Sequence, residues 1–296
     1  MVRYRIIRSL LAFFALLPLP INHALGYIIG LLFYLIPNKT KNITLINLSL
    51  CLPELNDQQR RQLAKQSLIE TGKSITELGA IWFWEPARLS RKIVRIENED
   101  ILNHALAKQK GLIIMTPHMG CWELAGLFAA PKQSLTSLYR PPRIEAMEAM
   151  MKQARERNGA TLVPTNTRGV KSLFAALSKH ECIGVLPDQD PGEEGGIFVP
   201  FFGHYANTMK LIPRLAQKTG SAIILVTAKR LPCGRGYVIR YHEVDENIYS
   251  KDLTESASAM NRSIESVVRE NPGQYQWSYK RFKRQAPGKR SPYQTD

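Results

Sequence analysis

The sequence contains no C-x-x-C pair, and its four cysteines, Cys51, Cys121, Cys182 and Cys233, lie far apart. Zinc-ligand spacings and a small-domain disulfide framework are therefore excluded. Scattered thiols in a chain of this size fit a reducing compartment. No Walker A loop is present, and no G-x-G-x-x-G follows a strand, so nucleotide-driven chemistry has no support. The G-x-S-x-G elbow of serine hydrolases is missing too. Charge is absent from two stretches. No Asp, Glu, Lys or Arg occurs between Arg8 and Lys39, and no acidic residue from Asn271 to Thr295. No internal repeat appears.

What is present belongs to a folded chain. Hydrophobic residues make up 44% of the 296 and charged residues 22%, which excludes disorder and a polytopic membrane protein. Lys plus Arg is 40 against 25 acidic residues, a formal charge of +15. Such a surplus calls for an anionic partner: nucleic acid, a phospholipid surface or an acidic substrate. The uncharged N-terminal stretch, SLLAFFALLPLPINHALGYIIGLLFYLIP, is long enough to cross a bilayer if wholly helical, but Pro18 and Pro20 interrupt it. Two forms of a retained anchor fit: a kinked transmembrane segment, or an amphipathic piece followed by a membrane-dipping piece from Ala24 to Ile36. A cleavable signal peptide fits less well, because the apolar part is too long and lacks an A-x-A-like site. A core helix pair is the third reading. The expected division is an anchor over residues 1–40 and one folded domain with a basic C-terminal tail over 41–296.

Residues 57–85 read as a helix with Asp57 as N-cap, ending in Trp82, Phe83 and Trp84. From residue 93 strands alternate with helices. Strands are expected at IVRI, 112–116, 134–139, 161–163, 182–186, 222–228 and 236–244. Helices are expected over 100–108, 121–130, 143–157, 168–178, 208–219 and 253–270, with a Gly/Pro-rich loop over 187–203. That alternation predicts an α/β fold with a largely parallel sheet and helices on both faces.

In such a sheet, sites form beyond the C-terminal ends of the strands. The strand LIIMT runs into Pro117-His118-Met119-Gly120-Cys121-Trp122-Glu123. Glu123 begins the next helix, where a turn can bring its carboxylate against His118 and support the imidazolium formed when His takes a proton. A helix-capping His is the bland reading of the same spacing. Cys121 as a nucleophile activated by His118 is the rival chemistry, although a thiol on a first helical turn usually belongs to a core. Arg140 follows the strand ending at Tyr139 and is expected beside His118, where a guanidinium binds phosphate or an oxyanion. Pro187-Asp188-Gln189-Asp190 leaves another strand end, and its two acids can bind a metal or hold basic side chains. The basic C-terminus, YKRFKRQAPGKR, suits nucleic acid or anionic lipid head groups, and a membrane-tethered nucleic-acid-binding protein is the alternative of a different class.

In order and spacing, these pieces resemble the late acyltransferases of bacterial lipid A biosynthesis, the lauroyl/myristoyl acyltransferase family. The resemblance is carried by Asn47-Leu-Ser-Leu-Cys51-Leu-Pro53, His118-x4-Glu123, Tyr139-Arg140-Pro141, Arg168-Gly169, Pro187-Asp-Gln-Asp190, Val199-Pro-Phe-Phe-Gly203 and Trp277-Ser-Tyr-Lys-Arg-Phe-Lys283. It implies an αβα sandwich of the glycerolipid acyltransferase type with an N-terminal membrane anchor, at the cytoplasmic face of the inner membrane. The implied reaction moves a fatty acyl chain from acyl carrier protein to a hydroxyl of a lipid A precursor. An acceptor of another membrane lipid is the alternative. His118 and Glu123 are implied as the catalytic dyad, and Arg140, Arg168, Asp188 and Asp190 as substrate-contacting positions. No metal and no cofactor are implied, because acyl-carrier protein delivers the acyl group as a substrate. The implied partners are acyl carrier protein, an anionic glycolipid and inner-membrane lipid, and no nucleic acid.

Overall fold

The structure is a computed structural model describing residues 2–129, 133–142, 144–286 and 288–294. Helices α1 (Val2–Leu16) and α2 (Leu19–Leu35) are separated at Leu17-Pro18, where the missing Pro N–H and its ring end the first helix. They hold 15 and 17 residues, about 23 and 26 Å of helix against a hydrocarbon core of about 30 Å. Among the described residues no single helix is long and apolar enough to cross a membrane. Helix α2 and α3 (Lys39–Cys51) meet that test only together, as a pair bent by 80°. Both α1 and α2 lie on α4 (Asp57–Phe83). Asn56 caps α4 in a capping box with Gln59, one residue before the expected Asp57.

Helix α2 is turned inside out. Its buried face carries Asn22, His23, Gly26 and Gly30, whereas Ile21, Tyr27, Ile28, Leu32 and Leu35 are exposed. The glycines let two backbones touch: a Cβ on Gly30 would sit 2.3 Å from the Ile69 Cα, and one on Gly26 2.5 Å from the Lys73 Cα. Helix α1 likewise exposes Ile6, Leu10 and Phe13 while burying Leu11 and Ala15. Ala15 and Leu19 join the same apolar cluster as Ala80, Ile81, Leu124 and Ile114, so the first two helices share a core with the sheet.

After a short α5 (Pro86–Ser90), the chain alternates: β1 (Ile93–Glu97), α6 (Glu99–Ala107), β2 (Leu112–Met115), α7 (Trp122–Phe128), β3 (Leu135–Tyr139), α8 (Ala146–Glu156), β4 (Thr161–Pro164), α9 (Thr167–Ser178) and β5 (Cys182–Val185). Then come β6 (Gly196–Phe201), β7 (His204–Met209), α10 (Leu211–Thr219), β8 (Ala222–Arg230), β9 (Tyr237–His242) and α11 (Leu253–Glu270). Seven strands form one sheet in the order β1-β9-β8-β2-β5-β3-β4. Its pairings are parallel except β8 with β9. Strand β2 is buried on both faces, as a central parallel strand must be. Ile113 and Met115 pack toward α9, α10 and α11, and Leu112 and Ile114 toward α4, α6 and α7. The expected mixed α/β fold with a parallel sheet flanked by helices is present.

The region 196–209 departs from the sequence reading. A loop was expected to 203 and a helix from 208, but β6 and β7 form an antiparallel hairpin and α10 begins at Leu211. Phe202 and Gly203 both have positive φ, 49° and 77°, the two-residue turn that matches hairpin twist. The Arg143 end of the expected helix over 143–157 lies outside the described residues; α8 itself starts at Ala146.

Candidate active site

Strands β2 and β5 are hydrogen-bonded neighbours, so the loops leaving their C-terminal ends meet. His118 leaves β2 and Asp188 leaves β5. The backbone N–H of His118 donates to Asp188 Oδ2 at 2.9 Å, and its Nδ1 lies 2.8 Å from Oδ1. One carboxylate thus holds both the turn and the ring. Asp188 is 2% exposed. Burial alone would raise its carboxyl pKa, but the His118 charge and hydrogen bonds outweigh that and hold it below its ordinary 3.8. An ionised carboxylate only accepts, so Nδ1 carries a proton, and in the neutral ring the lone pair is then on Nε2.

The turn itself is clamped on both sides. Gln276 N–H donates to the His118 carbonyl at 3.0 Å, Gly120 N–H to Gln274 O at 2.9 Å, and Cys121 N–H to Ala228 O at 2.8 Å. Gly120 has φ +56°, and a Cβ there would lie 2.2 Å from Ala228 O, so the turn requires glycine. His118 faces a small cleft walled by Ser67, Thr71 and Ser74 of α4, by Trp122 and by Gln276. The Trp122 indole sits 5.0 Å from the imidazole, centroid to centroid.

Glu123 lies elsewhere. The expected contact between Glu123 and His118 is not the one made. Glu123 is buried on the first turn of α7, and its carboxylate takes Arg155 from α8 in a two-pronged pair, with Nε at 3.0 Å and Nη2 on the other oxygen. The Trp82 indole N–H adds a third donor at 3.4 Å. Burial works against the Arg155 charge, and Glu123 more than offsets it, so the guanidinium pKa is raised. Trp122 borders both pairs, with Arg155 5.6 Å from its ring. Arg155 was not singled out from the sequence, where a cation on an amphipathic helix reads as solvated surface.

Arg140 follows β3, but β5 stands between β3 and β2. The expected placement beside His118 is corrected to two strands away, about 10 Å at ordinary strand spacing. Arg140 is exposed, and no ion pair among the described residues holds it. Arg168 is exposed on the first turn of α9, beyond the end of β4 at the same sheet edge. Its neighbour Gly169 packs directly on the Pro164 carbonyl, where a Cβ would lie 1.9 Å from the oxygen. Asp190 is a loop anchor: Oδ1 accepts from Gly192 N–H at 2.8 Å and Asn207 Nδ2 at 3.1 Å, with Arg284 Nε at 3.3 Å. Of the acids in that loop, Asp188 reaches the imidazole and Asp190 does not.

Cys121 is buried, and its thiol pKa is pushed well above 9.0 by burial and then by Glu77. Such a thiol supplies no thiolate for attack. Part of the basic C-terminus is built into the fold. Arg281 is 4% exposed and donates to Asn207 O and Thr208 Oγ1, and Lys280, Lys283 and Lys289 lie over Tyr293, Tyr279 and Tyr205. Asn47 Nδ2 donates to the carbonyls of Trp277 and Tyr279 at 2.6 and 2.8 Å. The Asn47–Pro53 and Trp277–Lys283 motifs therefore meet, and they hold the segment that walls the His118 cleft.

Comparison with known proteins gives one family along nearly the whole chain. Residues 3–284 match the family described as bacterial lipid A biosynthesis acyltransferase. The chain is 30% identical over 278 residues to the lipid A biosynthesis palmitoleoyltransferase of Escherichia coli K12, covering 94% of this chain and 90% of that one. The lauroyltransferase of the same organism is 27% identical over the same shares. Its myristoyltransferase is 24% identical over 84% of this chain and 77% of its own length.

Proposed function

From the premise that the chain belongs to the family of bacterial lipid A biosynthesis acyltransferases, we propose that it moves a fatty acyl chain from acyl carrier protein to a hydroxyl of a lipid A precursor, with His118 as general base. The observation that carries this reading is the Asp188 carboxylate on His118 Nδ1, which leaves Nε2 free beside a cleft. The acceptor hydroxyl gives its proton to Nε2 as its oxygen attacks the thioester carbonyl. The tetrahedral intermediate then collapses, the C–S bond breaks, and the imidazolium returns the proton to the departing thiolate. Asp188 stays ionised and stabilises the imidazolium. General base catalysis of this kind contributes about 10²–10⁴-fold. A thioester is already activated, so no nucleotide is required.

Glu123 acts in this scheme through Arg155, fixing a planar guanidinium two side chains away from the base. Arg155, with the exposed Arg140 and Arg168 on the same sheet edge, supplies positive charge for phosphates of donor or acceptor or for the developing oxyanion. The protein sits on the inner membrane with its site on the cytoplasmic side, where acyl carrier protein is found. The support is the reversed polarity of α2: polar and small residues inward, Ile21, Ile28, Leu32 and Leu35 outward. Burying each such side chain in lipid stabilises by about 1.5–3 kcal/mol. Arg3, Arg5, Arg8, Lys39 and Lys41 border this face in sequence, each adding about 1 kcal/mol on an anionic leaflet. The basic C-terminus, with Arg281 buried and three lysines on tyrosine rings, is read as fold and membrane surface, not as a nucleic-acid site.

The test is a lipid analysis. Cells lacking the protein should accumulate a lipid A lighter by one acyl chain in mass spectrometry. The parent protein should restore the full species and His118→Ala should not. Restoration by a folded His118→Ala, or an unchanged lipid A in the deletion, refutes the reading.

A further inference from the structure

Beneath the catalytic turn lies a buried ion cluster that the chemistry above does not use. Arg230, at the end of β8, is 3% exposed. Its Nε donates to both oxygens of Glu77 at 2.9 Å, Nη1 to Glu70 at 3.1 Å, and Nη2 to Ser74 Oγ at 2.7 Å, with a further Nη2 contact to Glu77. Tyr237 donates to Glu77 at 3.0 Å, and His23 Nε2 of α2 lies 3.2 Å from the same carboxylate. Burying this many ionic groups is weak evidence for stability, since apolar packing of equal volume commonly serves as well or better. The cluster's remaining contact gives it a use. Arg230 Nη2 also donates to the carbonyl of Gly120 at 2.7 Å, two residues from His118.

That contact closes a ring. Gly120 N–H donates to Gln274 O. The Gln274 side chain exchanges two hydrogen bonds with the Arg230 backbone, at 2.9 and 3.0 Å. Gln276, two residues on, holds the His118 carbonyl. We propose that Arg230 is the positioning residue of the catalytic turn, gripped by Glu77 and Glu70 of α4, with His23 making α2 a member of the grip. The inference rests on His118 being the general base. Helix α2 then has two faces with two tasks: the outer one meets lipid, and the inner one steadies the turn. A side chain that sets the place of a base acts on turnover rather than on binding, and a displacement near 1 Å costs on the order of 10²-fold.

The experiment uses the full-length protein in mixed micelles of detergent and phospholipid, with acylated carrier protein and a lipid A precursor as substrates. Turnover, both KM values and thermal unfolding are measured for the parent, Arg230→Lys, Glu77→Gln and His118→Ala. Lysine keeps the charge but not the planar fork that reaches two carboxylates, Ser74 and Gly120 together. A folded Arg230→Lys should lose roughly 10–100-fold in kcat with both KM values within about threefold. Glu77→Gln should lose about tenfold in the same manner. Parent-like kcat in a folded Arg230→Lys, beside an inactive His118→Ala, overturns this inference alone. Parent-like turnover in His118→Ala overturns the assignment of the base, and this inference with it. If neither Arg230→Lys nor Glu77→Gln folds, the cluster is a stability element, which also overturns the positioning role. In the case where only Glu77→Gln folds, its kcat decides: tenfold lower supports the inference and parent-like refutes it.

Discussion

Replacing Asp188 by asparagine separates the role of Asp188 from that of Glu123. In the parent, one Asp188 oxygen accepts from the His118 backbone N–H and the other from Nδ1–H. An asparagine has one acceptor oxygen and one NH2 group for these two donors. If its oxygen stays on the backbone N–H, the NH2 faces Nδ1. The imidazole then takes the other tautomer, with Nδ1 as acceptor and the proton on Nε2. The lone pair that removes the hydroxyl proton is gone, while shape and packing are nearly kept. The wrong tautomer behind a catalytic histidine costs up to about 10⁴-fold, and loss of general base catalysis alone costs about 10²–10⁴-fold. The expected fall in kcat is therefore about 3–5 kcal/mol in activation free energy. Acyl transfer from radiolabelled donor into lipid, at saturating substrates, measures it, with Glu123→Gln assayed in parallel. Glu123→Gln should be milder, because Gln still bonds Arg155 through its oxygen. Acid unfolding supplies a second readout. The Asp188 carboxyl pKa lies below its ordinary value, so the folded state binds fewer protons there than the unfolded chain. That stabilisation is fully present above about pH 4 and is lost as pH falls through the folded value, and Asp188→Asn should lack this step. Should Asp188→Asn keep kcat within threefold while Glu123→Gln abolishes it, Glu123 is the partner of His118 in the working enzyme and the reasoning from Asp188 is refuted.

Two further outcomes are expected. Cys121→Ser should retain turnover per folded enzyme within about threefold, since general acid–base transfer needs no acyl-enzyme; mass spectrometry with donor alone should find no acylated protein, and an adduct on Cys121 that acceptor chases would contradict direct attack. Ile28→Asp with Leu32→Asp, both exposed, should change the melting temperature little, as surface substitutions usually stay within about 0.5 kcal/mol, yet release the protein from anionic phospholipid vesicles in flotation; undiminished binding means that α2 does not face lipid.

Elements buried on two faces were the easiest to read. LIIM at β2 and AIILV at β8 are unbroken apolar runs because each lies inside the sheet with helices on both faces, and α11 fills the expected 253–270, capped by Asp252. The β6–β7 hairpin was hidden because its signals conflict. Pro200 argues against a strand, and it is tolerated here because the two-stranded sheet leaves its edge free. The turn uses Phe202 at positive φ, where Asn is the usual signal. At the site, His118 was legible because a strand, a Pro-His turn and a helix follow one another. Its partner was not, since Asp188 is 70 residues away and reaches it only because β5 inserts beside β2. Strand order decides that contact, and a local H-x4-E spacing drew attention to Glu123 instead. The same insertion explains Arg140, whose strand is next to β5 and not to β2.

The apolar N-terminal run shows a different kind of gap. Hydrophobicity alone does not say whether such a segment spans, lies on a surface or fills a core, because the three share composition. The deciding signal is the placement of its few polar and small residues. Asn22, Gly26 and Gly30 recur every fourth residue, His23 lies beside Asn22, and all four are buried. In a water-facing helix the polar stripe points outward. In α2 the stripe turns inward, where Asn22 bonds the Phe14 and Thr76 carbonyls and His23 meets Glu77, the polarity that the proposed lipid-facing role requires. Nothing local in the sequence says which side of α2 meets α4. Gly72 fixes that side, because only glycine at this position of α4 lets Gly26 and Gly30 approach, a Cβ there lying 2.1 Å from the Gly26 carbonyl. Three glycines on two helices thus set which face of α2 turns to protein and which stays exposed.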